Sequence, residues 1–65
     1  MIKTVIRLQN DLVMVFDESG EEIPEYQGYY HNVKDKIITD CTATSVFYHW
    51  FGFAMKPYEV KMEDW

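Results

Sequence analysis

The segment Val-Phe-Tyr-His-Trp-Phe-Gly-Phe at residues 46–53 decides the fold of this chain. Aromatic and β-branched side chains dominate it, and such residues favour a β-strand. One face of the strand carries Val46, Tyr48 and Trp50, and the other carries Phe47, His49, Phe51 and Phe53. Because both faces are apolar, the pattern is typical of a strand buried on both sides. We predict a strand over residues 45–55, with Gly52 at a bulge or bend.

Two further strands are predicted upstream. Residues 2–8 alternate in side-chain character, and residues 12–16 are apolar on both faces. The Gln9-Asn10-Asp11 segment between them suits a hairpin turn, because Asn and Asp tolerate left-handed backbone conformations. A two-residue loop would pair Leu8 with Val13, and a three-residue loop would pair Leu8 with Leu12. The two registers place opposite faces of the second strand beside Leu8.

One helix is predicted between the hairpin and the aromatic strand. Pro24 suits a first helical turn. Apolar residues then recur at helical spacing and form one stripe: Tyr26, Tyr30, Val33, Ile37 and Cys41. The helix should end near Asp40. Gly28 lies inside this span and indicates either close backbone packing or a start nearer Tyr29.

The element order predicts the fold class. A hairpin, a helix and a third strand give a β-β-α-β arrangement, an α+β fold in which a three-stranded sheet carries one helix on one face. Residues 58–65 form a short C-terminal element, with one helical turn at residues 61–65. The whole chain, residues 1–65, is expected to be a single domain.

The apolar content exceeds what one helix can cover. Eleven of the 65 residues are aromatic, and an aromatic side chain buries about 150–250 Å². One sheet face would therefore stay uncovered by this chain, unless the C-terminal element folds over it. We expect a second copy or a larger protein to cover it, through interface residues Phe47, Tyr48, His49, Trp50, Phe51, Phe53 and Tyr29.

Composition excludes several classes of function. The net charge of −5 disfavours binding to nucleic acid and to anionic membrane surfaces. No apolar run approaches the ~18 residues of a membrane span. The single cysteine, Cys41, rules out an internal disulfide, and an unpaired cysteine without a signal peptide favours the cytoplasm.

No motif indicates chemistry. No nucleophile–base pair and no glycine-rich phosphate loop is present. The only His and Cys residues are His31, Cys41 and His49, whose gaps of ten and eight residues lack the paired spacing of zinc sites. We therefore expect no metal and no cofactor.

Three functions follow from these patterns. The first is a small non-enzymatic interaction module, either a homodimer or a docking subunit of a larger assembly. The alternative is a small-ligand-binding protein or minor enzyme with an interface pocket near His49. The third is an acidic regulator that binds a basic partner through residues 17–25, where five acids lie without a base.

Overall fold

The chain forms one mixed sheet and one helix. The computed structural model describes residues 1–65. Its elements, in chain order, are β1 (Thr4–Leu8), β2 (Leu12–Phe16), β3 (Gly28–Tyr29), α1 (Tyr30–Asp40), β4 (Val46–Trp50) and β5 (Tyr58–Val60). The strand order is β3-β2-β1-β4-β5, and only the central β1–β4 pair is parallel.

The α+β prediction with one helix is confirmed, whereas the three-stranded sheet is wrong because the sheet has five strands. The two additional strands, β3 and β5, lie at the two edges and have only two and three residues. Strands this short show no alternation, so sequence patterns do not reveal them.

The hairpin adopts the three-residue register. Ile6 pairs with Met14 and Arg7 with Val13. Asp11 takes a left-handed conformation (φ 64°) and its N–H donates to the Leu8 carbonyl at 2.9 Å. This geometry matches a three-residue hairpin loop whose last residue is left-handed. The register decides which side chains of β2 share a face with Leu8.

The helix begins at Tyr30, so the predicted start at Pro24 is wrong and the alternative start near Tyr29 is right. Pro24–Tyr26 forms only a 3₁₀ turn. Gly28 then has a φ of +143°, and a Cβ there would lie 3.4 Å from Val33 Cγ1. The positive φ, which side chains with a Cβ rarely adopt, explains the glycine, since the distance to Val33 is an ordinary packing contact.

The aromatic strand is shorter than predicted. β4 ends at Trp50 rather than Met55, because Gly52 turns the chain with a φ of +65°. Residues 51–57 form a loop that returns as β5, antiparallel to β4. The predicted helical turn near the C-terminus is a 3₁₀ turn at Met62–Asp64.

The core lies between the sheet and α1. Its fully buried cluster comprises Ile2, Val5, Val13, Val15, Val33, Ile37, Phe47 and Trp65. The Trp65 ring packs 5.1 Å from Phe47 and 5.0 Å from Tyr30, measured between ring centroids. The C-terminal segment therefore lies on the helix side of the sheet, and the opposite face is left without a covering element.

The side chain of Gln27 supplies hydrogen bonds to the part of β2 that β3 leaves unpaired. Gln27 Nε2 donates to the carbonyls of Val15 and Ile23, both at 2.8 Å, and Gln27 Oε1 accepts from the Val15 N–H at 3.3 Å. Beyond the two-residue strand β3, the Gln27 amide thus replaces a missing strand partner. Val15 is fully buried, so its N–H has no water available in compensation.

We expect Gln27→Ala to destabilise the fold by about 1–3 kcal/mol, the effect of leaving a buried main-chain N–H unpaired. Gln27→Glu should destabilise it as well, because a carboxylate cannot donate to the two carbonyls. Urea denaturation measures both. Asn32→Ala on the exposed side of α1 is the control and should change stability by less than about 0.5 kcal/mol. A wild-type midpoint for Gln27→Ala would contradict this role.

A second contact ties the 3₁₀ turn to the end of α1. The Tyr26 hydroxyl donates to Asp40 Oδ2 at 2.6 Å. This hydrogen bond, with smaller contributions from desolvation and nearby carboxylates, raises the pKa of Tyr26 to about 12. The folded state therefore favours the neutral phenol, and this stabilisation is present below pH 10 and lost as the pH rises through about 12.

Alkaline titration of phenolate absorbance should show one tyrosine that ionises later than the rest. Asp40→Asn removes the carboxylate and should lower the pKa of Tyr26 toward its usual range. Asp35→Asn, on the same helix without contact to Tyr26, should leave the late transition in place. If Asp40→Asn also leaves it in place, the Tyr26–Asp40 bond is not its cause.

Candidate functional site

The face of the sheet opposite α1, here called the open face, is almost entirely apolar. The register aligns Met14, Ile6 and Tyr48 across the middle of the sheet, and Leu8 lies beside Trp50 at one end. The apolar side chains of the open face are Ile6, Leu8, Leu12, Met14, Phe16, Tyr29, Val46, Tyr48 and Trp50. Its polar members are Thr4, Glu59 on the edge strand β5, and Glu22, which is bridged to Phe16.

Most of these side chains are half-buried only because they shelter one another. Strands lie about 4.8 Å apart, so neighbouring side chains cover one another's flanks while their tips face solvent. Ile6, at the centre, is 8% exposed, and Tyr29, at the edge, is 52% exposed. None of the open-face residues belongs to the core cluster or packs against it. The open face is therefore a separate apolar layer with nothing above it.

Most of the acids lie off the open face. Of the eleven acidic residues, two lie on it: Glu59 on the edge strand β5, and Glu22, which is bridged to Phe16. The acidic segment at residues 17–25 is organised by its own hydrogen bonds instead: Asp17 Oδ1 accepts from the Ser19 hydroxyl at 2.6 Å and from two main-chain N–H groups. The hydrogen bond from Ser19, above all, lowers the pKa of Asp17. These contacts are those of a solvated turn.

The seven predicted interface residues do not form one surface. Tyr48, Trp50 and Tyr29 lie on the open face. Phe47 is buried in the core at 4% exposure, where no partner could reach it. His49 and Phe51 stack on each other at 4.4 Å on the helix side of the sheet. Phe53 lies in the β4–β5 loop and is fully exposed.

Six open-face residues were missing from the predicted set: Ile6, Leu8, Leu12, Met14, Phe16 and Val46. Their signal was present in the sequence, since residues 12, 14 and 16 share one face of a strand that is apolar on both sides. The unresolved hairpin register concealed which of the two faces was open. The three-residue loop resolves it.

His49 has a structural partner. Its Nε2 atom lies 3.0 Å from the main-chain oxygen of Trp65, which also accepts from Arg7 Nη1 at 2.8 Å. The Arg7 guanidinium in turn lies 3.6 Å from the centroid of the Tyr30 ring. His49 lines neither of the two surface depressions. His49 therefore helps to hold the C-terminal segment in place.

No group of three or more His, Cys, Asp or Glu side chains is arranged to hold a metal ion. No helix has the length and apolar character to cross a membrane; α1 itself has eleven residues. The apolar open face is the feature that the fold itself does not explain.

Trp65 offers a test of the helix-side packing. Its indole N–H is buried without a partner, so the ring contributes through packing alone. Trp65→Ala should destabilise the fold by about 3–5 kcal/mol, enough to unfold much of a domain this small. Trp65→Phe should cost less than about 1.5 kcal/mol, because it keeps an aromatic ring and removes the unpaired N–H. Denaturant titrations at one fixed protein concentration measure both, and equal losses would contradict this account.

Comparison with known proteins supplies no functional assignment. No family model, no curated protein and no solved structure matches this chain.

Proposed function

We propose that this chain is a small non-enzymatic interaction module that forms a homodimer through its open face. The observation that carries the proposal is the layer of nine apolar side chains on β1 to β4, which no element of the chain covers. The largest contiguous apolar patch on a soluble monomer covers about 300–600 Å² and is often a functional surface. A layer of this kind is typical of a surface that meets another protein.

Charge supports a second copy as the partner. Each chain carries a net charge of −5, so two copies repel each other least when they approach through a face with few acids. The open face has two acids, Glu59 on the edge strand β5 and Glu22 beside Phe16, and both lie at its periphery. A two-fold axis lets the same apolar patch meet itself, with the acids at its edges.

Size supports association as well. A domain of this length buries only about 60% of the surface of its unfolded chain, and its single core rarely supplies more than about 3–5 kcal/mol. The nine buried residues of the monomer represent a modest core. Packing two open faces together would add a second apolar layer, and so the dimer would be more stable than its separate protomers.

The test is the oligomeric state of the full chain and of a matched pair of variants. Wild-type protein at low micromolar concentration should sediment with a mass near twice 7.8 kDa. Tyr48→Glu places a charge at the centre of the open face and should yield a monomer. Tyr58→Glu makes the same substitution on β5 but on the other side of the sheet, beside His49, and should leave the dimer intact.

Circular dichroism of each variant separates dissociation from unfolding. Met14→Glu, on the same face but on β2, provides a second disruption if Tyr48→Glu fails to fold. A wild-type mass of 7.8 kDa across the micromolar range would overturn the proposal. Folded Tyr48→Glu and Met14→Glu variants that remain dimeric would place the interface elsewhere.

A further inference from the structure

The β4–β5 loop exposes large apolar side chains that the monomer does not bury. Phe53 and Met55 are 104% and 96% exposed, the highest values among the large apolar residues of the chain. Burying a Phe or Met side chain stabilises a protein, and here both lie almost entirely in water. Ala54 between them is partly buried, so the two side chains project from a backbone that stays against the protein.

The loop is held in place by contacts to the strand ends. Trp50 Nε1 donates to the Ala54 carbonyl at 2.9 Å, and Gln9 Oε1 accepts from the Gly52 N–H at 2.8 Å. Because the Trp50 side chain belongs to the open face, its bond draws Ala54 to that side of the sheet. The loop is thus an ordered extension of the open face, which lowers the entropy lost on binding.

A depression lies next to the loop. It has a volume of about 590 Å³ and is lined by Leu8, Gln9, Asn10, Trp50 and Gly52. Leu8 and Trp50 supply apolar walls from the open face, at the carboxyl ends of the parallel strands β1 and β4. A single aromatic side chain fits within this volume. An exposed ring and an open depression with two apolar walls therefore occur at the same end of one molecule.

We propose that Phe53 of each chain inserts into this depression on a second copy of the same chain, as the anchor of the homodimer. This inference rests on the proposed function. In a face-to-face dimer, a two-fold axis parallel to the strands brings the same ends of the two sheets together. With the axis between β1 and β4, the end of β4 on one protomer faces the end of β1 on its partner. Each protomer then donates one Phe53 and receives one.

The area of the interface favours this arrangement. The five strands, three of five residues and two edge strands of two and three, cover on the order of 300 Å² in projection, from a strand spacing of about 4.8 Å and a rise of about 3.3 Å. Stable dimers bury about 800 Å² per partner. Phe53 adds about 150–250 Å², and Met55 extends the same contact. The open face alone is small for a stable interface, and the loop supplies part of the missing area.

Equilibrium sedimentation of Phe53→Ser tests the anchor. The dimer dissociation constant should rise roughly tenfold to a hundredfold, as for an aromatic residue at the centre of an interface. Tyr58→Ser removes a 44% exposed aromatic residue just beyond the same loop, on the helix side, and should leave the constant within about threefold. A wild-type monomer would defeat the homodimer itself, whereas a wild-type dimer that Phe53→Ser leaves unchanged would defeat only the anchor.

Disulfide trapping tests the contact directly. In a Cys41→Ser background, chains with Phe53→Cys are mixed with chains with Asn10→Cys under mild oxidation. A covalent heterodimer is expected, and mixing with chains that carry Ser19→Cys in the distant acidic turn should give none. Absence of the heterodimer, while sedimentation shows a dimer, would overturn the insertion. The insertion would also be overturned if binding to neutral phosphatidylcholine vesicles depended on Phe53 while the dimer dissociation constant did not.

Discussion

One eleven-residue helix is all that this chain has to cover a five-stranded sheet, and this limit organises the rest of the molecule. A helix buries one stripe against one sheet face. α1 contributes Val33 and Ile37 to the core, and both lie over the side of the sheet that carries Val5, Val15 and Phe47. The side chains on the other face of the same strands have no partner within the chain.

Two short segments, the 3₁₀ turn at Pro24–Tyr26 and the C-terminal segment, complete the helix side. The 3₁₀ turn at Pro24–Tyr26 leads into Gln27, whose amide satisfies the main chain of Val15. The C-terminal segment adds Trp65 to the core, held by Arg7 and His49 through its main-chain oxygen. Through these contacts, short elements complete the core on the helix side of the sheet, as expected of a domain too short for a second helix. They also place His49 in a structural role.

The open face and the β4–β5 loop share one physical consequence. Both expose apolar surface to water, which is unfavourable in free energy. Both also lie on the same side of the molecule, where the hydrogen bond from Trp50 to Ala54 joins them. A second copy of the chain can bury both at once, because the two acids of the open face, Glu22 and Glu59, lie at its edges. The proposed dimer thus accounts for the aromatic excess, the distribution of charge and the exposure of Phe53 together.

The sequence by itself determined the element types, the single helix with its end at Asp40, the aromatic strand and the surplus of apolar residues over what one helix can cover. Those features depend on local periodicity and composition, which are present in the sequence whatever the fold. It did not reveal β3 and β5, because two or three residues show no period, and it did not fix the start of α1, because the stripe residue Tyr26 lies in a 3₁₀ turn. Tertiary structure alone decided the hairpin register, and with it the membership of the open face. It also decided that Phe47 is core and Phe53 is exposed. The two residues lie on the same side of the predicted strand, but Gly52 turns the chain between them.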